Sequence, residues 1–272
     1  MKLKSNWWWD LTAKEFAELD MSKVVAVLPV AAVEQHGPHL PVRVDSAINA
    51  GIMARVAEKL PDDLPVLILP MLPVGKSVEH IEYPGTLTLS YETLARMWYE
   101  VAESVWRAGC RKIVFANSHG GQPQVMEIVV RELRVKLGMF AVSAWASADA
   151  DFSDLFSVSE LTHGIHGGEY ETSAMLDLHP DLVAMDQAAD FVPSSVEMAR
   201  NNAVLTPEGR VGFGWETQDL HPSGACGNAA AADTERGRIA LDRGAERFIA
   251  LLREVAEYPM DRITQKTMFH DA

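Results

Sequence analysis

Three short stretches of this chain carry side chains whose types and spacing suit chemistry better than packing. The first holds Glu34 and His36, two apart, with Asp45 a little further on. In extended chain alternate side chains point to one side, so Glu34 and His36 would converge. Pro38 and Pro41 discourage helix between them and Asp45. A carboxylate, an imidazole and a second carboxylate are the ligand types that hold Zn²⁺ or Mn²⁺. Taken alone, such a Glu-x-His is often just solvated loop. The second stretch is Asn117-Ser118-His119-Gly120-Gly121. Its imidazole precedes a Gly-Gly turn, which permits positive φ and lets another group approach the backbone. The third is His163-Gly164-Ile165-His166-Gly167-Gly168-Glu169-Tyr170-Glu171-Thr172-Ser173. Acidic residues suit a helix start, but two histidines, two carboxylates and paired glycines together are hard to assign to packing or capping. Three such clusters point to a metal-dependent hydrolase. The chain has no G-x-S-x-G elbow, P-loop or strand-linked G-x-G-x-x-G, which removes the common rivals.

The elements that must position these residues are legible in the hydrophobic pattern. Val24 to Val30 is an apolar, β-branched run and reads as a buried strand. Asp45 to Leu60 reads as a helix ended by Pro61. Val66–Leu69 is a second strand, Lys112–Ala116 a third and Phe140–Ala144 a fourth. Helices are expected at Tyr91–Ala108, at Pro123–Leu137 with Gly138 as its cap, at Gly168–Leu178 and at Thr234–Glu257. Thr12-Ala13-Lys14-Glu15 is a capping-box pattern, so a short helix should run to about Leu19. Trp7-Trp8-Trp9 reads as an arm whose rings bury against the body of the fold or a neighbouring subunit. Residues 146–165 read as irregular, and 180–230 as loop and short elements. Strand alternating with helix at this spacing implies a parallel sheet with helices on both faces. Two of the three clusters then follow a strand directly, where open α/β sheets bind ligands. The long loop after the second strand, Pro70 to Thr86, carries Ser77, Glu79 and His80, and long loops in small domains are often functional.

Composition narrows the function class. The chain has 272 residues, 48% of them hydrophobic, enough for a sizeable core. No linker or repeat divides it, so residues 1–272 read as one domain. A formal net charge of -14 argues against a nucleic-acid surface. It leaves room for an anionic small substrate, because a metal site sets its own field. Two cysteines, Cys110 and Cys226, imply no disulfide framework. The N-terminal stretch has lysines but no signal-length apolar core, and no run spans a bilayer. A soluble cytoplasmic protein with no membrane partner is expected.

The ordered motifs resemble those of the creatininase (creatinine amidohydrolase) family. They are Val33-Glu34-Gln35-His36-Gly37-Pro38-His39-Leu40-Pro41 with Asp45, Glu79-His80 before Tyr83-Pro84-Gly85-Thr86, Asn117-Ser118-His119-Gly120-Gly121, and His166-Gly167-Gly168-Glu169-Tyr170-Glu171-Thr172-Ser173. The resemblance spans about residues 7 to 255. It implies a three-layer α/β/α sandwich on a mostly parallel sheet, two divalent ions per chain (Zn and/or Mn), hydrolysis of a non-peptide C–N bond in a small molecule, and a homo-oligomer, commonly a hexamer. By position, it implies that Glu34 and His119 hold one metal, His36 the other, and that Asp45 bridges them. Creatininase has a glutamate ligand two residues after the histidine matching His119, where this chain has Gly121. The resemblance implies that Glu169 supplies that ligand instead, and that His166 is the proton donor. Trp145 falls where creatininase has a tryptophan against its substrate, and Thr162 where it has a second. With Gly121 and Thr162 both changed, creatinine is not the expected substrate.

The chemistry expected of such a site is hydrolysis by a metal-activated water. Glu169 or a nearby carboxylate would take the proton, and His166 would protonate the leaving nitrogen. Gly120 and Gly121, with Gly167 and Gly168, would leave space for substrate and offer N–H groups to an oxyanion. Ser77, Glu79, His80 and Trp145 complete the expected substrate-binding set. Two other readings stand beside this one: a hydrolase or lactonase acting on a sugar-derived ring, and a non-catalytic relative that keeps fold and metals without turnover.

Overall fold

The apolar run after Val24 forms strand β1 (Val25–Val30), every residue of it buried. In the computed structural model, which describes residues 3–269, β1 lies inside a four-stranded parallel sheet. Met1 and Lys2, the start of the N-terminal stretch read above, and residues 270–272 lie outside the described residues. The spatial order is β2 (Val66–Ile68), β1, β3 (Lys112–Asn117), β4 (Phe140–Trp145). Val25 pairs with Val66 on one side and with Lys112 on the other, and Lys112 in turn with Phe140. Pro29 is tolerated in this central strand. Its carbonyl accepts from Leu72 on the β2 side, where β2 has already ended at Ile68, so its missing N–H interrupts no ladder there.

Each face of the sheet carries its own apolar core, because alternate residues of a strand point opposite ways. Val25 and Val27 face helix α2 (Val44–Lys59) and the long C-terminal helix, whose Leu241, Ala245, Phe248 and Leu252 pack beside Ile48, Ile52 and Val56. Ala26, Leu28 and Val30 face α3 (Tyr91–Arg107) and α4 (Pro123–Leu137), through Leu94, Trp98, Val129 and Leu133. The architecture is therefore a three-layer α/β/α sandwich on a parallel sheet. The short first helix α1 (Ala13–Glu18) starts with both bonds of the capping box in place. Trp7 bridges to Ile68 and Trp8 packs into the second core, whereas Trp9 stays 65% exposed.

The stretches expected to be irregular contain more regular structure than the periodicity shows. Residues 146–165 include α5 (Val158–His163), capped by Ser157. After α6 (Glu169–Leu178), residues 180–230 fold into β5 (Asp190–Phe191), α7 (Ser194–Asn201), α8 (Thr217–Leu220) and β6 (Gly227–Asn228). The last helix is α9 (Thr234–Glu257). Elements of two to eight residues are too short to show a hydrophobic period. No helix among the described residues is long and apolar enough to cross a membrane.

Candidate metal centre

The carboxyl ends of β1 and β3 deliver the first two motifs to one place. Past Val30 the chain stays largely extended, so Glu34 and His36 arrive close together, both buried. The start of α2 is pinned to the same strand ends. Asn49 donates to the carbonyls of Val30 and Ala116 at 3.0 and 2.9 Å, and Ser118 donates to the Asp45 carbonyl at 2.9 Å. Asp45, in the first turn of α2, is thereby held against His36 and His119. The turn carrying His119 is fixed by Asn117, whose side chain donates to the His119 carbonyl and accepts its N–H and a proton of Gln122.

Hydrogen bonds define which ring nitrogens are free. His36 Nδ1 lies 3.0 Å from the Glu34 carbonyl, which accepts its proton and makes Nε2 the nitrogen that offers a lone pair once the ring is neutral. His119 Nε2 donates to the Lys76 carbonyl at 2.8 Å and leaves Nδ1 free. The free Nδ1 of His119 lies 3.1 Å from Glu34 Oε1 and 3.3 Å from Asp45 Oδ2. The free Nε2 of His36 lies 3.3 Å from Asp45 Oδ1 and 3.8 Å from Glu171 Oε2. Asp45 thus turns one oxygen to each histidine. Glu34, Asp45 and His119 form one group able to hold an ion, and His36, Asp45 and Glu171 form another. Between the two groups, His36 Nε2 and Asp45 Oδ2 are buried without a hydrogen-bond partner. Buried polar atoms are rarely left unpaired, and a cation is the partner this nitrogen and oxygen set fits.

The same crowding shifts protonation. His36 is raised to about 9, because Glu171, Asp45 and Glu34 outweigh a burial that would lower it. His119 is raised well above the usual imidazole range, burial being overcome by Glu34, Asp45 and Glu79. Asp45 is held at about 2 against burial by the two imidazoles. Burial lifts Glu171 to about 7, with Asp45 and Glu34 adding to it against His36. His166 sits between His36 and His80, with ring centroids 4.0 and 4.2 Å away. Burial and those two neighbours push it well below the imidazole range. Its Nε2 donates to the Gln35 carbonyl at 2.5 Å, leaving Nδ1 turned toward Glu34 Oε1, 3.7 Å away.

Not every residue singled out in the sequence reaches this place. Glu169 does not: its carboxylate pairs with Arg236 and its N–H donates to Glu160. Glu171 faces His36 in its stead. Residues two apart on a helix point about 200° apart, so only one of the two carboxylates can face His36. Trp145 also lies elsewhere, at the exposed end of β4 in a depression with Ala148, Arg247 and Glu254. Thr162 lines an adjoining depression with Ser195 and Ala199, which shares Ile165 and residues 207–209 with the main cavity. Ser77 is fully buried behind Glu34, to which it donates. The Gly167 N–H, with φ of 61°, is already taken by Glu171 Oε2 at 2.6 Å, so it is not free for an oxyanion.

Glu34, Asp45, Glu79, His80, His119, Gly120, Gly121 and His166 do line a common cavity of about 610 Å³. Lys76, Gln124, Ile165 and Glu171 join them. Further lining comes from the segment around residues 207–215, Phe213 and Trp215 included. That segment belongs to the stretch 180–230, expected as loop and short elements. Its only signal was two aromatics among the glycines Gly209, Gly212 and Gly214.

The family model described as creatinine amidohydrolase (creatininase) matches residues 9–252. The creatinine amidohydrolase of Pseudomonas putida is 32% identical over 203 residues, 68% of this chain and 76% of that one. The mycofactocin precursor peptide peptidase of Mycolicibacterium smegmatis is 32% identical over 165 residues, 60% of this chain and 61% of that one. A creatininase structure described as the Mn form superposes with a TM-score of 0.73 at 28% identity, over 94% of this chain and 100% of that one. A variant creatininase of Zn-Zn type gives 0.74 at 27% identity, with the same coverage.

Proposed function

We propose that this chain, which belongs to the creatininase family of amidohydrolases, hydrolyses a non-peptide C–N bond of a small cyclic amide or formamide at a centre of two divalent ions. The observation that supports this reading most is Asp45, whose two oxygens face His36 on one side and His119 on the other. Glu34 and His119 would hold one ion, His36 and Glu171 the other. Glu171 takes the place expected of Glu169. Bound there, the ions would supply an acidified water and a polarised carbonyl.

The chain's own residues provide the rest. Ser77 orients Glu34, and the Glu34 carbonyl fixes the tautomer of His36. His166 is held neutral with Nδ1 open to the cavity, so it can take a proton there first and hand it to the leaving nitrogen afterwards. An amine anion is too basic to leave without that proton. Phe213 and Trp215 line the same cavity and give it apolar surface beside its polar groups.

A second reading, cleavage of a peptide, has one observation in its favour. The cavity, about 610 Å³, is within the range of drug-sized ligands and could take several residues of chain. The test is elemental analysis after metal-replete purification, followed by turnover of cyclic amides, formamides and short peptides. The proposal expects about two ions per chain and turnover of the first two classes. Turnover of peptides alone establishes the second reading, and an ion-free protein refutes both.

A further inference from the structure

Glu79 and residue 121 compete for one space. A Cβ built on Gly121 would fall on the Glu79 carboxylate, and would come within 2.5 Å of His119 Nε2. Real side-chain atoms do not approach so closely, so a side chain at 121 and the carboxylate of Glu79 in its present place exclude each other. That carboxylate is 10% exposed and firmly held. Lys76 Nζ bridges Glu79 Oε2 and the Gly121 carbonyl, each at 2.9 Å, which ties the carboxylate to the turn that carries His119. Thr217 donates to the Glu79 carbonyl at 3.0 Å. The other oxygen, Oε1, has no hydrogen-bond partner and lies 3.3 Å from His119 Nε2.

The far side of the His119 ring is the informative place. Nδ1 faces Glu34 and Asp45, whereas Nε2, which carries the proton, faces the Lys76 carbonyl and Glu79. A carboxylate beside the protonated nitrogen of a metal-binding imidazole fixes the ring and makes its other nitrogen a better donor. We propose that Glu79 is the positioning carboxylate of His119, and that residue 121 is glycine because this carboxylate occupies the room a side chain there would need. The inference rests on the metal-centre reading above. It goes beyond it in giving Lys76, Glu79 and Gly121 one shared task.

The test measures zinc affinity by chelator competition on the full chain, with the thermal midpoint of the metal-free protein recorded for each variant. Glu79→Gln keeps the volume and the contact to Lys76 but removes the charge. Its affinity for one ion should fall about 10–100-fold, the usual effect of losing such a partner, and the metal-free midpoint separates this from the stability lost with the Lys76 ion pair. Gly121→Ala should weaken the same ion by displacing Glu79. In a Glu79→Ala background, Gly121→Ala should cost clearly less than it does in the wild type, since only the close approach to His119 then remains. Wild-type affinity in Glu79→Gln, or additive losses in the double variant, overturns the inference while leaving the metal centre standing. Complete loss of one ion in Glu79→Gln also overturns it, by making Glu79 a direct ligand. A wild-type chain that binds no zinc refutes the metal centre and this inference together.

Discussion

Glu169 and Glu171 make opposite demands on the protein, so neutralising each should give opposite signatures. Glu171 is raised from 4.5 to about 7 by burial and by Asp45 and Glu34. Its folded value lies above the unfolded one. The stability it contributes is therefore complete below about pH 4.5 and is lost as pH rises through about 7. A shift of this size corresponds to roughly 3 kcal/mol. Glu171→Gln removes the penalty, so above pH 7 the metal-free variant should be more stable than wild type by up to about 3 kcal/mol. For a chain of this size that is roughly 5–10 °C in Tm. The gain should vanish near pH 4.5. The same variant should lose one of the two ions, because an amide is a poor substitute for a carboxylate ligand. Glu169→Gln should behave the other way. Its carboxylate is buried against Arg236, which also donates to the carbonyls of Leu155 and Ala231. Removing one charge of a buried pair costs up to about 3–5 kcal/mol. Because Arg236 is one-third exposed, roughly 1–3 kcal/mol is expected. Both ions should stay. The assay is thermal unfolding of metal-free protein between pH 4.5 and 8.5, with elemental analysis of the loaded forms. Loss of an ion in Glu169→Gln with full occupancy in Glu171→Gln would refute the assignment of ligands.

Other outcomes follow from the same geometry. Asp45→Asn should lose metal more severely than Glu34→Gln, since Asp45 faces both histidines; equal retention by elemental analysis removes the bridging role. His166→Ala should keep both ions and lose turnover by roughly 10²–10⁴-fold, the usual worth of a proton-transfer residue; near-normal turnover would leave that residue without a catalytic part. Ion affinity should rise with pH, because His36, raised to about 9, and His119 must shed protons to bind. In the metal-free chain the His36 contribution runs oppositely, present below about pH 6.5 and lost through about 9; calorimetry in buffers of different ionisation enthalpy counts the released protons, and none released at pH 7 contradicts the argument. Trp215→Ala should raise KM more than it lowers kcat, since Trp215 lines the cavity but belongs to none of the groups able to hold an ion; a loss confined to kcat would place it in the chemistry.

The elements and three of the site's motifs were legible in the sequence because both are local properties. Short apolar runs alternating with helical periods dictate a parallel sheet, and a parallel sheet puts the residues following its strands on one rim. Glu34, His36 and His119 could be placed there from the sequence for that reason, and Asp45 because it opens the next helix. What remained hidden depends on rotation and on distant chain. Glu169 and Glu171 are equally plausible as letters, and only the docking of α6, with Arg236 of α9 waiting on one side, decides which of them faces His36. Gly121 read as a lost ligand, yet its missing side chain is room for Glu79, brought in from a loop more than forty positions earlier. Trp145 matched a substrate contact by position, but β4 ends at the sheet edge and carries it away from the cavity. Phe213 and Trp215 reach the cavity through a segment with no period of its own. A contact between residues far apart in the chain leaves no mark on local spacing, so only the folded structure could assign it.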